Sequence, residues 1–395
     1  MPMTSKERVR AAFHFEDLDR VPVFEQEIAS NVASDILGRR VYTGGGGVGW
    51  RDNVELLFEG KRDFLVQRLC EDNLALYTFL DLDVFRVPLA PALDAKGADK
   101  KLDENTYYSE DEETGNWSIR RYDPKTRTFM LADSSVRREG LPAIERLIQH
   151  MGKKPIEYDE GIFETLDYMV ERVGDERFIT GHGGLGVSPE IPWLKAMMEK
   201  PDLIGHYLDL QLGWTKELIR LQKRHGVDFI LGGGDLADNH GPLYPPRLFR
   251  KLLLPRLKEL TSYCHRLGLP YLFRSDGNLW PIAQELFLES GVDGYGEIDA
   301  QAGMNIAEIR KNFPDLVLWG NVDCAKTLPF GPEEKIIAET RKCIGDGSPG
   351  GGHILGSSNT IHPNVPAKNF LTMLKTAKKY SPYPKVNPSL KGVYV

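Results

Sequence analysis

Short apolar runs alternate with amphipathic stretches of helical length along most of this chain. The runs fall at residues 21–24, 83–88, 178–182, 228–232, 271–275, 291–296, 316–321 and 353–358. Each is brief and largely apolar, the pattern of strands buried on both faces of a parallel sheet. The clearest helical stretch is 247–267, where Phe249, Leu253, Leu257, Leu260, Cys264 and Leu267 recur at three- and four-residue steps. Pro255 is expected to bend it. Eight strand–helix units predict an α/β fold, a (β/α)8 TIM barrel in preference to an open doubly wound sheet.

Several segments depart from that rhythm. An N-terminal helix is predicted over 4–15: Thr4 or Ser5 can cap it, Glu7 can complete a capping box, and Val9, Ala12 and Phe13 share one face. Residues 44–49 read Gly-Gly-Gly-Gly-Val-Gly and predict a mobile or tightly turned loop, one that could close over a substrate, because adjacent glycines lose much chain entropy on ordering. Residues 103–132 place two polar, β-patterned stretches around the turn Asp123-Pro124-Lys125, predicting a β-hairpin inserted after the second βα unit. A last helix is expected near 369–380, then a Pro- and Lys-rich tail over 381–395. Without an internal repeat or a linker, the whole of 1–395 reads as one domain.

Composition narrows the function classes. The chain has 395 residues, 41% hydrophobic and 27% charged, with a formal net charge of −7. That acidic balance gives no general attraction to nucleic acid. No apolar run is long enough to span a bilayer, and Met1 to Arg10 lack the apolar core of a signal peptide. Four cysteines, Cys70, Cys264, Cys324 and Cys343, form neither a C-x-x-C pair nor a dense framework. A cytoplasmic location is therefore expected.

In such barrels the chemistry gathers where strands end. Those positions hold Glu25, Gln26 and Glu27 after the first strand, His182 after the third, and Asp235, Asp238 and His240 after the fourth. Arg274, Asp276 and Asn278 follow the fifth, Tyr295, Glu297 and Asp299 the sixth, Asn321 and Cys324 the seventh, and His362 the eighth. Clustered carboxylates raise one another's pKa values, so one can stay protonated and donate to a leaving oxygen. Structural roles compete at each position. Asp235 and Asp238 also suit a helix cap before Pro245, Asp276-Gly277-Asn278 a plain turn, His182 a backbone-bonded core histidine, and Cys324 a small buried apolar group. Gly44-x-Gly46-x-x-Gly49 and Gly181-x-Gly183-x-x-Gly186 match a dinucleotide fingerprint. Neither is followed by an acidic residue at the end of a next strand, so a nucleotide cofactor is rejected.

Several blocks resemble the uroporphyrinogen decarboxylase superfamily. They are Thr4-Ser5-Lys6-Glu7-Arg8-Val9 with Asp19-Arg20-Val21-Pro22-Val23, and Gly234-Asp235-Leu236-Ala237 running into Gly241-Pro242 and Phe249. Further along stand Ser275-Asp276-Gly277-Asn278, Gly320-Asn321-Val322-Asp323, and Ser357-Ser358-Asn359 with His362-Pro363. The resemblance implies a (β/α)8 barrel with its site at the mouth, in a superfamily of decarboxylases and corrinoid-dependent methyltransferases. Two departures tell against porphyrin decarboxylation. The arginine-rich loop expected after the first strand is replaced by Phe24-Glu25-Gln26-Glu27, which repels a polyanion, and the family's aspartate after the second strand has no match in Arg86-Val87-Pro88. The zinc site of the thiol-alkylating methyltransferases, His-x-Cys with a later Cys, is replaced by Arg274, Asp276 and, approximately, Ser357, and arginine cannot ligate. Zinc is left only a different set, Cys324, Glu297, Asp276 and His240.

The resemblance then implies the first methyltransferase of a demethylating system, with a methoxylated aromatic as donor and cobalamin on a partner protein as acceptor. Asp276 or Glu297 is the expected acid, and Arg274 or His240 holds developing charge or a substrate carboxylate. Asp235 and Asn278 position them. Tyr295, Phe24 and Trp280 are the expected aromatic wall, with His182, Asn321 and His362 as further substrate contacts. The partners on this reading are a small methylated substrate, a corrinoid carrier protein and, in a homo-oligomer, further copies of the chain. A decarboxylase of a small acid or porphyrin-like substrate and a non-catalytic corrinoid- or tetrapyrrole-binding protein are the alternatives.

Overall fold

The computed structural model describes residues 3–380, so the tail expected over 381–395 lies outside the described residues. Seven parallel strands form one sheet in the order β1 (Val84–Arg86), β6 (Phe178–His182), β7 (Phe229–Gly233), β8 (Tyr271–Arg274), β9 (Gly294–Gly296), β10 (Val317–Trp319) and β11 (His353–Ile354). Residues 22–24, expected as the first strand, bond to both edges of this sheet. Phe24 N–H donates to the Leu355 carbonyl at 2.9 Å, and Asp83 N–H donates to the Val23 carbonyl at 3.0 Å. The arrangement is compatible with a TIM-like barrel.

Continuous apolar strands are explained by two cores, one on each face. Phe178, Phe229, Leu231, Leu272, Val317, Trp319 and Ile354 pack into an inner cluster. Their strand neighbours Ile179, Ile230, Tyr271, Phe273, Leu318 and Leu355 pack outward against the helices. Successive side chains on a strand point to opposite faces, so both sets must be apolar. Helix α1 (Ser5–Phe13) adds Val9, Ala12 and Phe13 to the inner cluster. Thr4 and Glu7 cap it as a capping box. It is anchored by a fully buried carboxylate: Arg8 Nη1 and Arg20 Nη1 reach Asp83 at 2.7 and 2.6 Å.

Three expectations are corrected. The hairpin expected over 103–132 is part of a four-stranded antiparallel sheet, β2 (Lys100–Asp103), β3 (Thr106–Asp111), β4 (Asn116–Asp123) and β5 (Thr128–Ser134). It interrupts the second unit, lying between β1 and that unit's helices, because Tyr107, Tyr122 and Phe129 give it a small core of its own. The glycine run is not all loop. After α2 (Ser30–Leu37), Gly46 opens helix α3 (Gly46–Phe58). Here close packing outweighs the entropy cost, since a Cβ on Gly47 would overlap the Arg127 carbonyl and one on Gly49 would meet Ser30 Oγ. Finally, the helix expected over 247–267 begins at Pro246–Leu248, widens into a π-helical turn at Phe249–Leu253 and continues as Leu254–Arg266. Pro255 thus follows directly on the π-helical turn inside one continuous helical run, where the widened turn accommodates a residue that has no N–H to donate. Among the described residues no helix is long and apolar enough to cross a membrane.

Candidate functional site

Strand parity delivers three cationic or basic side chains to the mouth. Val84, Phe178 and Leu272 face the inner cluster, so Arg86, His182 and Arg274, an even number of residues on, face inward one or two layers higher. Arg86 Nη1 donates to the Gln26 carbonyl at 2.7 Å. His182 Nε2 lies 2.6 Å from the Val87 carbonyl, so that nitrogen carries the proton. Burial, then the charges of Arg86 and Arg274, pushes the imidazole down to about 4. His182 is therefore neutral at pH 7, bonded to backbone as the structural alternative supposed.

Glu297 breaks the parity. Tyr295 packs outward on Phe287, with ring centroids 4.7 Å apart, and an extended chain would send Glu297 outward as well. Instead Glu297 takes φ +62, an uncommon and strained conformation for a non-glycine residue and a marker of functional sites. Its carboxyl accepts from Gln26 Nε2 through Oε1 and lies 3.6 Å from Arg274 Nη1 through Oε2. The side chain is 2% exposed, and Oε2 has no hydrogen-bond partner. Burial pushes this carboxyl up to about 7, opposed by Arg274 and assisted by Asp276.

Asp276 sits beside this pair, with Oδ2 accepting from Asn359 Nδ2 at 3.2 Å. Burial, then the charges of Asp235 and Asp299, raises its pKa above the usual carboxylate range. Asp276 and His240 line an open cavity of about 430 Å³ together with Asp238, Asn239, Gly277 and Asp299. Asp238 Oδ1 accepts from the N–H groups of His240 and Gly241 at 2.7 and 3.1 Å, making it a turn residue rather than a helix cap. Asp235 is exposed. Asn278 Oδ1 accepts from Trp280 N–H at 3.1 Å, a local turn.

A second cavity, about 400 Å³, is lined by Gln26, Glu27, Tyr77, Arg86 and His182 and by Gly44 and Gly45. The remaining expected contacts lie apart from it. Phe24 is buried against Trp319, with centroids 4.7 Å apart, and Tyr295 is buried with its hydroxyl donating to the Ser275 carbonyl at 3.1 Å. Neither presents surface for an aromatic wall. Asn321 is fixed by the Ile298 carbonyl at 3.1 Å, and His362 Nε2 by the Cys324 carbonyl at 2.8 Å. Cys324, Glu297, Asp276 and His240 do not assemble as ligands, and among the described residues no three His, Cys, Asp or Glu side chains are placed to hold a metal. Gln26, expected at the end of the first strand, joins the site, as do Arg86, Tyr77 and Asn359, to which no role was assigned. Arg86 was legible, since it ends β1 on the inward parity; Tyr77 comes from helix α4 (Arg62–Leu80) and carried no signal.

Comparison with known proteins follows the same lines. Residues 187–380 match the family model described as uroporphyrinogen decarboxylase (URO-D). A uroporphyrinogen decarboxylase of Thioalkalivibrio sulfidiphilus is 25% identical over 201 residues, 49% of this chain and 54% of that one. The Geobacter sulfurreducens protein of the same name is 23% identical over 190 residues, 47% of this chain and 52% of that one. The chain thus spans about half the length of the curated relatives it matches. A methyltransferase from Methanosarcina mazei has the same fold, with a TM-score of 0.64 at 20% identity over 95% of this chain and 99% of that one. Residues 187–380 of this chain thus resemble the uroporphyrinogen decarboxylase family, and the fold is shared with the Methanosarcina mazei methyltransferase.

Proposed function

We propose that the protein is a methyltransferase that moves a methyl group from a small methylated substrate, best a methoxylated aromatic, to cob(I)alamin on a carrier protein in the cytoplasm. The observation that carries this reading is Glu297: a buried carboxyl held near neutral, with an oxygen free of hydrogen bonds, beside Arg274. The reduced corrinoid is itself a strong nucleophile, so the protein need not build one. Its task is to help the oxygen leave. As the methyl C–O bond breaks, its electron pair stays on oxygen, Glu297 supplies the proton, and Arg274 stabilises the developing charge.

The mouth suits a corrinoid brought from outside. Cavities of 400 and 430 Å³ are sized for a small ligand and do not engulf a corrin, whereas the second is open and polar. The same scale argues against a porphyrin-sized substrate, as does Glu27 on the cavity wall. The test is optical and anaerobic: mix the protein with cob(I)alamin, free and on a carrier, and with methoxylated aromatics and methylated amines. The methylcobalamin spectrum with one donor class is the expected result; none with a competent carrier overturns the reading. A decarboxylase of a small acid is the second reading, favoured by Arg86 and Arg274 at one mouth, and carbon dioxide release distinguishes it.

A further inference from the structure

Arg86 is sparsely partnered, with the charge of Glu27 nearby but not paired to it. Among the described residues its guanidinium makes one hydrogen bond, to the Gln26 carbonyl at 2.7 Å, and no ion pair. A guanidinium has five N–H donors, so most of its donors have no protein acceptor. The desolvation is real, since burial lowers its pKa ahead of any other influence. The nearest acid on the wall is otherwise engaged: Glu27 Oε1 accepts the Gly46 N–H at 2.8 Å, at the N-terminus of α3, where a negative charge is favoured. A half-buried guanidinium with one hydrogen bond and no ion pair keeps donors to spare, and a cavity of about 400 Å³ opens beside it.

The other groups on the wall point to the shape of the missing partner. Tyr77, whose phenol burial keeps protonated, has no hydrogen bond from its hydroxyl among the described residues and lines the same cavity. His182 has its Nε2 proton turned to Val87 and adds no charge. Two side chains with donors left over, one of them cationic, thus share a space large enough for a single ring and not for a tetrapyrrole. We infer that Arg86 and Tyr77 form a carboxylate-binding subsite, and that the substrate is a one-ring carboxylic acid. In naming the substrate this rests on the methyl-transfer reading; the binding itself requires no corrinoid.

The experiment is calorimetric titration of the corrinoid-free protein at pH 7 with benzoate, 4-methoxybenzoate and, as a neutral isostere, anisole. Wild-type protein is expected to bind both acids and to bind anisole at least 10-fold more weakly. Losing a charged hydrogen-bond partner is worth about 10- to 100-fold in Kd, so Arg86→Gln should weaken benzoate by that factor, Arg86→Lys by less, and Tyr77→Phe only a few-fold. Equal affinity for benzoate and anisole in the wild type, which needs no variant to fold, overturns the inference. So does an unchanged benzoate Kd in a folded Arg86→Gln protein. Acid binding without methyl transfer from any donor would retain the subsite and discard the methyltransferase reading.

Discussion

Ser357 donates twice to Glu25, its backbone N–H to Oε1 and its hydroxyl to Oε2, each at 2.7 Å. These residues lie 332 positions apart and join the segment after the first strand run to the end of the last one. Glu25 is fully buried, and burial pushes its carboxyl up to about 8 against both hydrogen bonds.

A pH dependence of stability follows from Glu25. An acid whose folded pKa lies above its unfolded value keeps a proton that the unfolded chain has lost. Between the ordinary value of 4.5 and about 8, folding takes up a proton, so stability falls as pH rises through that window. Urea denaturation from about pH 5 to 9 should show the wild type losing more stability than Glu25→Gln, whose amide can accept from the Ser357 N–H and donate to its hydroxyl. Parallel curves would remove Glu25 as the cause.

Glu297→Gln should lower methyl-transfer kcat by roughly 10²- to 10⁴-fold, the usual contribution of a general acid. The protonated carboxyl is the active form, so wild-type kcat should hold below about pH 7 and fall above it. The variant should lose this alkaline limb along with the rate. Stopped-flow spectra of the corrinoid across pH read both.

Asp276 raises the pKa of Glu297 through its charge. Asp276→Asn should therefore move the alkaline limb to lower pH. A uniform loss of about 10²-fold without any shift would instead make Asp276 the acid.

Two glycines test packing against chain entropy. Gly47→Ala must displace the β5 turn at Arg127 and Thr128, and should cost about 1–3 kcal/mol, as overpacking does. Gly186→Ala meets nothing within 4 Å and should be neutral or stabilising by about 0.4–1 kcal/mol. Thermal melts of both variants check the pair; equal melting temperatures would mean that α3 tolerates the extra methyl.

Periodicity and strand ends carried much of this protein. Apolar runs placed all seven sheet strands, since a strand covered on both faces has few alternatives, and local chemistry placed the Thr4–Glu7 cap. The same reading brought Arg274, Asp276 and Glu297 to one mouth, because residues that end parallel strands converge there. What needed tertiary structure was every choice made by a distant neighbour. Gly47 packs in α3 against Arg127, which leaves no room for a side chain. Phe24 and Tyr295 were drawn into the cores because Trp319 and Phe287 stand beside them. Glu297 and Gln26 met across 271 positions. Burial and through-space charge set which carboxyl keeps its proton and which arginine lacks an ion pair, and both depend on distances that no spacing along the chain encodes.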